Sequence, residues 1–519
     1  MITIYHIAPE NVMLGFIRIH ACRFCQNGFT GGRERKLMES VPQRLTILHT
    51  NDIHSHFETM SSIAAEIAGL KAAAGDEPVL LVDIGDHMDR AAVETEGTMG
   101  QANIDIINLT GYDAVTIGNN EGLTFSPETL SAIFSGLQCP VVCCNFLDTA
   151  TGLPPLWMKQ RAVVEKDGIR IGITGATAAF TSFYSLLGWE VRDPEDALRE
   201  QCRLLAPQVD LVIILSHLGL PADKLLAERL EGVHAILGGH THHLLEQPLL
   251  INGTAVCGAG KFGRYVGRLL FERAEPGAAF KLASGECIEL DPKRTENVVA
   301  PAAALHLQQG REALEETVAI TDHELPLNLL GESPFGNLLA QAVRRFTGSP
   351  LSMVNTGQLL GPLPKGNITS GMLHALCPSP INPCIVKLLG KDIRTALLQS
   401  LTEEFCNKAI YGYGFRGKVL GSLAVDGLKI LCDPALMPYD NSIAVFVDGE
   451  LLEDSREYVV GTLDMFTFRI GYESIANGRD PVYLVPHFLR DLLRMELQRP
   501  GSLEESADIR WESTATLQP

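Results

Sequence analysis

The chain has 519 residues, 46% hydrophobic and 20% charged, a composition that excludes a disordered protein. Its 42 basic and 62 acidic side chains leave a net charge of −20, which argues against binding to nucleic acid or anionic membranes, since both need a basic surface. No run of ~18 apolar residues is present, so no transmembrane helix is expected. Residues 1–43 read as an N-terminal extension. The apolar run Met13–Ile17 is interrupted by Arg18 and His20 and has no cleavage site behind it, so no export signal is read and a cytoplasmic location is expected. Cys22 and Cys25 have no second pair to complete a zinc site, and the scattered cysteines are expected to be reduced and buried. Met38 is the expected translation start, because Gly31–Lys36 is a stretch that purine-rich codons would encode.

From 44 to 275 short apolar runs alternate with amphipathic stretches. Strands are predicted at 45–50, 79–83, 113–117, 140–144, 170–175, 210–215 and 234–238, and helices near 60–74, 98–110, 126–137, 195–206 and 221–231. Alternating elements with β-branched runs predict a layered α/β core. Residues 276–318 read as a linker with a helix over 302–317, and 319–510 as a second α/β domain.

The informative residues follow strands: Asp52, His54 and His56; Asp86 and His87; Asn119, Asn120 and Glu121; His217; and His240, His242 and His243. In layered α/β folds ligands bind outside the carboxyl ends of the strands. Asp-x-His and His-x-His in extended loops send alternate side chains to one side. Imidazole, carboxylate and amide oxygen suit Mn, Zn, Co or Fe without thiolate. Seven donors are too many for one ion and suit a pair about 3.5–4 Å apart.

This constellation resembles the calcineurin-like metallophosphoesterases, and more closely the two-domain 5′-nucleotidase and UDP-sugar hydrolase family, over residues 44–510. Leu45–His56, Gly258–Arg264 and Gly336–Leu339, which includes Asn337, carry the likeness. The resemblance implies a four-layer β-sandwich flanked by helices, plus a second α/β substrate-binding domain. It implies two divalent ions, one held by Asp52, His54 and His242, the other by Asn119, His217 and His240, with Asp86 bridging. It further implies hydrolysis of a small phosphorylated, nucleotide-like metabolite by a metal-bridging hydroxide. A phosphodiesterase, or a metal- and nucleotide-binding protein with impaired catalysis, is the alternative.

Four positions depart from the family pattern. Asn120 and Leu123 replace a His–Asp dyad, so Asn120 can donate a hydrogen bond to a phosphoryl oxygen but not a proton. The segment starting at Asn355 ends in Leu360 where the family has a phosphate-gripping arginine. Ser422 stands for a base-stacking phenylalanine, and Phe468–Tyr472 replaces a glycine-rich segment ending in an aromatic. The insert Tyr411–Lys418 is the expected substitute, with Phe415 for a base and Arg416 and Lys418 for a phosphate. Asn337, Asn355 and Tyr472 complete the expected substrate contacts, and His56, His87 or His243 is an optional proton donor.

Overall fold

A computed structural model describes residues 43–514, apart from 276, 296, 434–435 and 437–441. Residues 1–42 of the N-terminal extension, with Cys22, Cys25 and Met38, lie outside the described residues, and Gln43 already belongs to the first strand. The first part of the chain builds two sheets. One has seven strands and centres on Gln43–Thr50, Val79–Asp83 and Ala114–Val115, which run parallel. The other has six and centres on Ile169–Thr177, Leu211–His217 and Ala235–Gly238, again parallel.

Side-chain alternation turns these sheets into four layers. Leu45, Ile47, Leu80 and Val82 meet Ile171, Ile173, Leu211, Ile213 and Leu237 in a core between the sheets. The alternate residue Leu48 faces outward onto Ile63 and Ile67 of the helix Phe57–Ala74 and Ile104 of the helix Gln101–Thr110. On the far side Val212 and Ile214 pack against Leu198 and Cys202 of the helix Pro194–Leu205 and Leu226 of the helix Leu220–Arg229. Strands covered on both faces need apolar residues at every position, which is why these segments read as continuous runs. Two predicted strands are shorter than their sequences suggest. Only Ala114–Val115 and Val141–Val142 are regular, although Asp113 and Thr116 still bond to Leu81 and Asp83 of the neighbouring strand.

The linking helix spans Val299–Ala313, starting three residues before and ending four before the predicted bounds, and is followed by a strand, Thr317–Thr321. It packs on the first domain. A Cβ on Gly97 would sit 2.4 Å from the Gly310 carbonyl oxygen, so the two backbones touch only because both residues lack one. From Val318 onward the chain forms its own core. A mixed five-stranded sheet is backed by the amphipathic helix Pro334–Thr347. A four-stranded sheet completes this domain.

The two domains meet through polar and aromatic contacts. Arg490 donates to Glu96 at 2.9 Å, His374 Nε2 bonds the Arg90 carbonyl at 2.9 Å, and Arg90 lies 4.9 Å over the Phe488 ring. Phe183 packs at 4.3 Å on Tyr483, and Arg416 reaches Asp89. No helix of the described residues is long and apolar enough to cross a membrane.

Candidate metal centre

Parallel strands end on one edge, and the loops that leave them converge there. Asp52 N bonds Gly85 O at 3.1 Å and His54 N bonds Asp86 O at 2.9 Å, so the first two loops zip together. The third loop presses so closely that a Cβ on Gly118 would lie 2.0 Å from Asp86 Oδ1. Glu121 clamps the junction, accepting from the backbone N–H groups of Asp86, Met88 and Gly118 at 3.1, 2.8 and 2.8 Å. Asn51 ties in the last loop, donating to Gly260 O and accepting from Ala259 N. Asp52, His54, Asp86, His240 and His242 all have φ between 48° and 70°. Non-glycine residues rarely adopt this left-handed conformation, at a cost of about 1–2 kcal/mol each. Strain gathered on five neighbouring polar residues marks a functional site.

The strain brings nitrogen and oxygen donors together. Asp52, His54 and His242 form one group whose ligand atoms lie within 4.8 Å of one another, and Asp52, Asp86 and His217 form another. Asp52 is common to both groups, while Asp86 Oδ2 also comes within 3.8 Å of His54 Nε2. His54 Nε2 and His242 Nε2 face each other at 3.1 Å. Two imidazole nitrogens that close need a proton or a cation between them. His217 donates Nδ1–H to Ile84 O at 2.8 Å, which fixes its tautomer and aims Nε2 inward. That Nε2 is fully buried without a hydrogen bond, 3.5 Å from Asp86 Oδ2. An unpartnered, buried acceptor beside two carboxylates fits a divalent cation, and so does a donor set of imidazole and carboxylate without thiolate. Asn119 and His240 stand beside this cluster and bond each other, Oδ1 to Nδ1, at 2.8 Å. The His240 backbone N–H also bonds both Asp52 oxygens at 3.0 Å.

The electrostatics agree. Burial works to raise the Asp86 carboxyl, but His217 and His54 outweigh it and hold Asp86 well below the usual carboxylate range. Burial works to lower the His217 imidazole, yet Asp86 and Asp52 raise it to about 10. Burial, helped by the neighbouring His217, lowers the His240 imidazole to about 4. The centre therefore demands positive charge.

Several expected roles fall elsewhere. Asn120 donates its amide N–H to Met88 O at 2.9 Å and lies 3.0 Å from His54 Nδ1, so in this conformation its amide nitrogen is turned to the protein and packs against the His54 ring. His56 pairs with Glu58, exposed His243 with Thr241, and buried His87 with Asn103. In the second domain, four residues expected to contact substrate are buried in this conformation. Asn337 bonds Glu332 and the carbonyls of Ser506 and Asp508. Asn355 bonds Leu420 O and Gln358. Tyr472 donates to Gly421 O at 2.7 Å, and Phe415 lies in the core. The polar ones spend their hydrogen bonds inside the domain, so this conformation offers none of the four to a ligand. Arg416 does reach the centre, through Asp89, and Lys418 is exposed.

Sequence reasoning missed Asp89, and it placed Tyr413 in the recognition insert and Phe468 in a departing segment without pairing them, whereas their exposed rings stack at 6.2 Å. A second carboxylate three residues after Asp86, in the same loop, was the available signal for Asp89. The pairing of the two rings had none, because the partners are 55 residues apart in sequence (468 less 413).

Comparison with known proteins agrees with this architecture. The calcineurin-like phosphoesterase family matches residues 45–244, and the 5′-nucleotidase C-terminal domain matches 315–469. The chain is 33% identical over 464 residues to the uncharacterized metallophosphoesterase YunD of Bacillus subtilis, covering 88% of this chain and 100% of that one. It is 27% identical to a 5′-nucleotidase of Diplobatis ommata, over 81% of this chain and 84% of that one. The fold is shared with Haemophilus influenzae NAD nucleotidase, at a TM-score of 0.64, 16% identity, and 91% and 99% coverage. The chain belongs to the calcineurin-like metallophosphoesterases that carry a 5′-nucleotidase C-terminal domain. It is a hydrolase of phosphoesters.

Proposed function

We propose that the centre holds two divalent ions and that the enzyme hydrolyses a phosphoester or phosphoanhydride of a nucleotide-like small molecule. The observation that carries this reading is the pair of donor groups sharing Asp52. Asp52, His54 and His242 would hold one ion. Asn119, His217 and His240 would hold the other, and Asp86, which lies within 3.8 Å of both His54 and His217, would serve both. Such ions, when bound, supply Lewis-acid charge and an acidified water. The chain's own contribution is to fix the donors. Ile84 O sets the His217 ring, Asn120 buttresses His54, and Glu121 holds the loop of Asp86.

Among the described residues, Asn120, His56, His87 and His243 are each engaged with a protein partner, which supports a leaving group that departs without a delivered proton. A phosphoanhydride or an aryl phosphate meets that condition. Tyr413, exposed and stacked on Phe468, supports a nucleobase as the other half of the substrate, since every base presents a π-face. The free buried thiols Cys143, Cys144, Cys257, Cys377 and Cys384 support a reducing, cytoplasmic setting.

The test is a panel of nucleoside mono-, di- and triphosphates, nucleotide sugars, cyclic nucleotides and p-nitrophenyl phosphate, run with Mn, Co, Zn and Fe. Turnover is expected together with about two metal equivalents by elemental mass spectrometry. Asp86→Ala is expected to lower activity more than about a hundredfold and to lose metal. Full activity in Asp86→Ala, or in the metal-free protein, overturns the reading. A preference for diesters over monoesters would move the substrate class to phosphodiesters.

A further inference from the structure

Asp89 is 6% exposed and stands one residue layer behind the metal centre. Its two oxygens have different tasks. Oδ1 accepts from Ala91 N at 2.8 Å, which fixes the turn. Oδ2 lies 3.6 Å from His54 Nδ1, the outer nitrogen of a candidate ligand, and accepts from Arg416 Nη2. The Asp89 backbone N–H is itself held by Ser55 Oγ at 2.7 Å. The carboxylate therefore cannot drift toward its partners, and they must come to it.

Arg416 comes from the second domain on the 411–418 loop. An antiparallel bridge between Ala409 and Val419 closes the base of that loop, buried Phe415 anchors it, and Arg416 N bonds Ser379 Oγ at 3.1 Å. The Arg416 side chain keeps 29% exposure, and among the described residues its guanidinium bonds Asp89 alone. Of five N–H donors in a planar fork, most remain open. Asp52, Asp86 and Asp89 concentrate negative charge at this edge of a chain whose net charge is −20. A phosphoryl group entering there needs a cation from the protein as well as from the centre.

We propose that Asp89 is a positioning residue for substrate binding: it seats Arg416 of the second domain beside the metal centre, with the open side of the guanidinium presented to the substrate's phosphoryl oxygens. This rests on the proposed phosphohydrolase reading. It also ties the two domains together at the point of chemistry. A second interdomain ion pair, Arg490 with Glu96, joins the same domains without touching a candidate ligand.

The experiment is a steady-state comparison of Asp89→Asn, Arg416→Ala, Arg416→Lys and Asp89→Asn/Arg416→Ala in the full chain with Mn, with metal content measured in parallel. Asp89→Asn and Arg416→Ala are each expected to raise KM about tenfold or more with kcat changed less. The double variant is expected to be no worse than Arg416→Ala, and Arg416→Lys to recover part of the loss. Arg490→Lys, which loosens the domains elsewhere, is expected to shift KM much less. Multiplying effects in the double variant overturn the proposal. So does an Asp89→Asn protein that loses metal while Arg416→Ala keeps a normal KM, because Asp89 would then serve His54 alone. If Asp89→Asn does not fold, the two Arg416 variants decide: an unchanged KM in Arg416→Ala overturns the proposal. Inactive Asp86→Ala with wild-type Arg416→Ala refutes only this inference, whereas active Asp86→Ala refutes the reading beneath it.

Discussion

Asp86 in the first domain and Asp464 in the second are both buried carboxylates, and their surroundings push them in opposite directions. Histidines outweigh burial at Asp86 and keep it ionised. Asp464 meets backbone N–H groups such as that of Asn382 at 3.2 Å, and burial pushes it up to about 7. The asparagines divide in the same way. Asn119 faces His240 across the strand ends, while Asn355 is buried and bonded to its own domain. One region gathers polar groups and leaves them facing each other around a centre. The other spends them on its own backbone. A polar residue in a family-like motif is therefore available for chemistry only where the fold leaves its hydrogen bonds unspent.

The hardest test of this contrast is His217→Ala, expected to cost more than about a hundredfold in activity with loss of bound metal and little change in melting temperature. Retained metal would erase the distinction between the regions. Asn355→Ala should do the reverse. Removing a buried amide that satisfies Leu420 O and Gln358 is expected to lower unfolding free energy by about 1–3 kcal/mol with KM unchanged, measured by urea denaturation alongside kinetics.

Asp464→Asn sharpens the electrostatic half. A carboxyl whose folded value is about 7, against about 4 unfolded, binds a proton on folding, so its contribution to stability is greatest below pH 4 and is lost as pH rises toward 7. The asparagine variant is expected to flatten that decline by on the order of a few kcal/mol, read from denaturation midpoints at pH 5 and pH 8. The smallest effect is Tyr472→Phe. Loss of its bond to Gly421 O is expected to cost about 1 kcal/mol of stability and leave KM alone. A KM shift there would restore Tyr472 as a substrate contact.

The first domain was legible because its signals repeat. Each apolar strand is followed by its polar residues, and five such junctions point to one edge whatever the exact element bounds. Val79–Asp83 ends as predicted, and Leu211–His217 runs two residues beyond the expected strand without moving His217 from its tip. The second domain offered single residues in isolated motifs, and Asn337, Tyr472 and Phe415 went to packing. Asn120 shows the limit within the centre itself. Its position follows from sequence, but its hydrogen bonds to His54 and Met88 do not.

The amino-acid sequence by itself determined the layered α/β core, the edge where the donors gather and their chemical kind, because continuous apolar runs and strand-end placement are local properties of the chain. The tertiary structure decided that Asp52 joins both donor groups, that Asp89 receives Arg416 from the other domain, and that Asn337, Asn355, Phe415 and Tyr472 are buried while Lys418 is exposed. Those outcomes depend on which loops touch across hundreds of residues, and contact between distant loops is set by packing, not by local pattern.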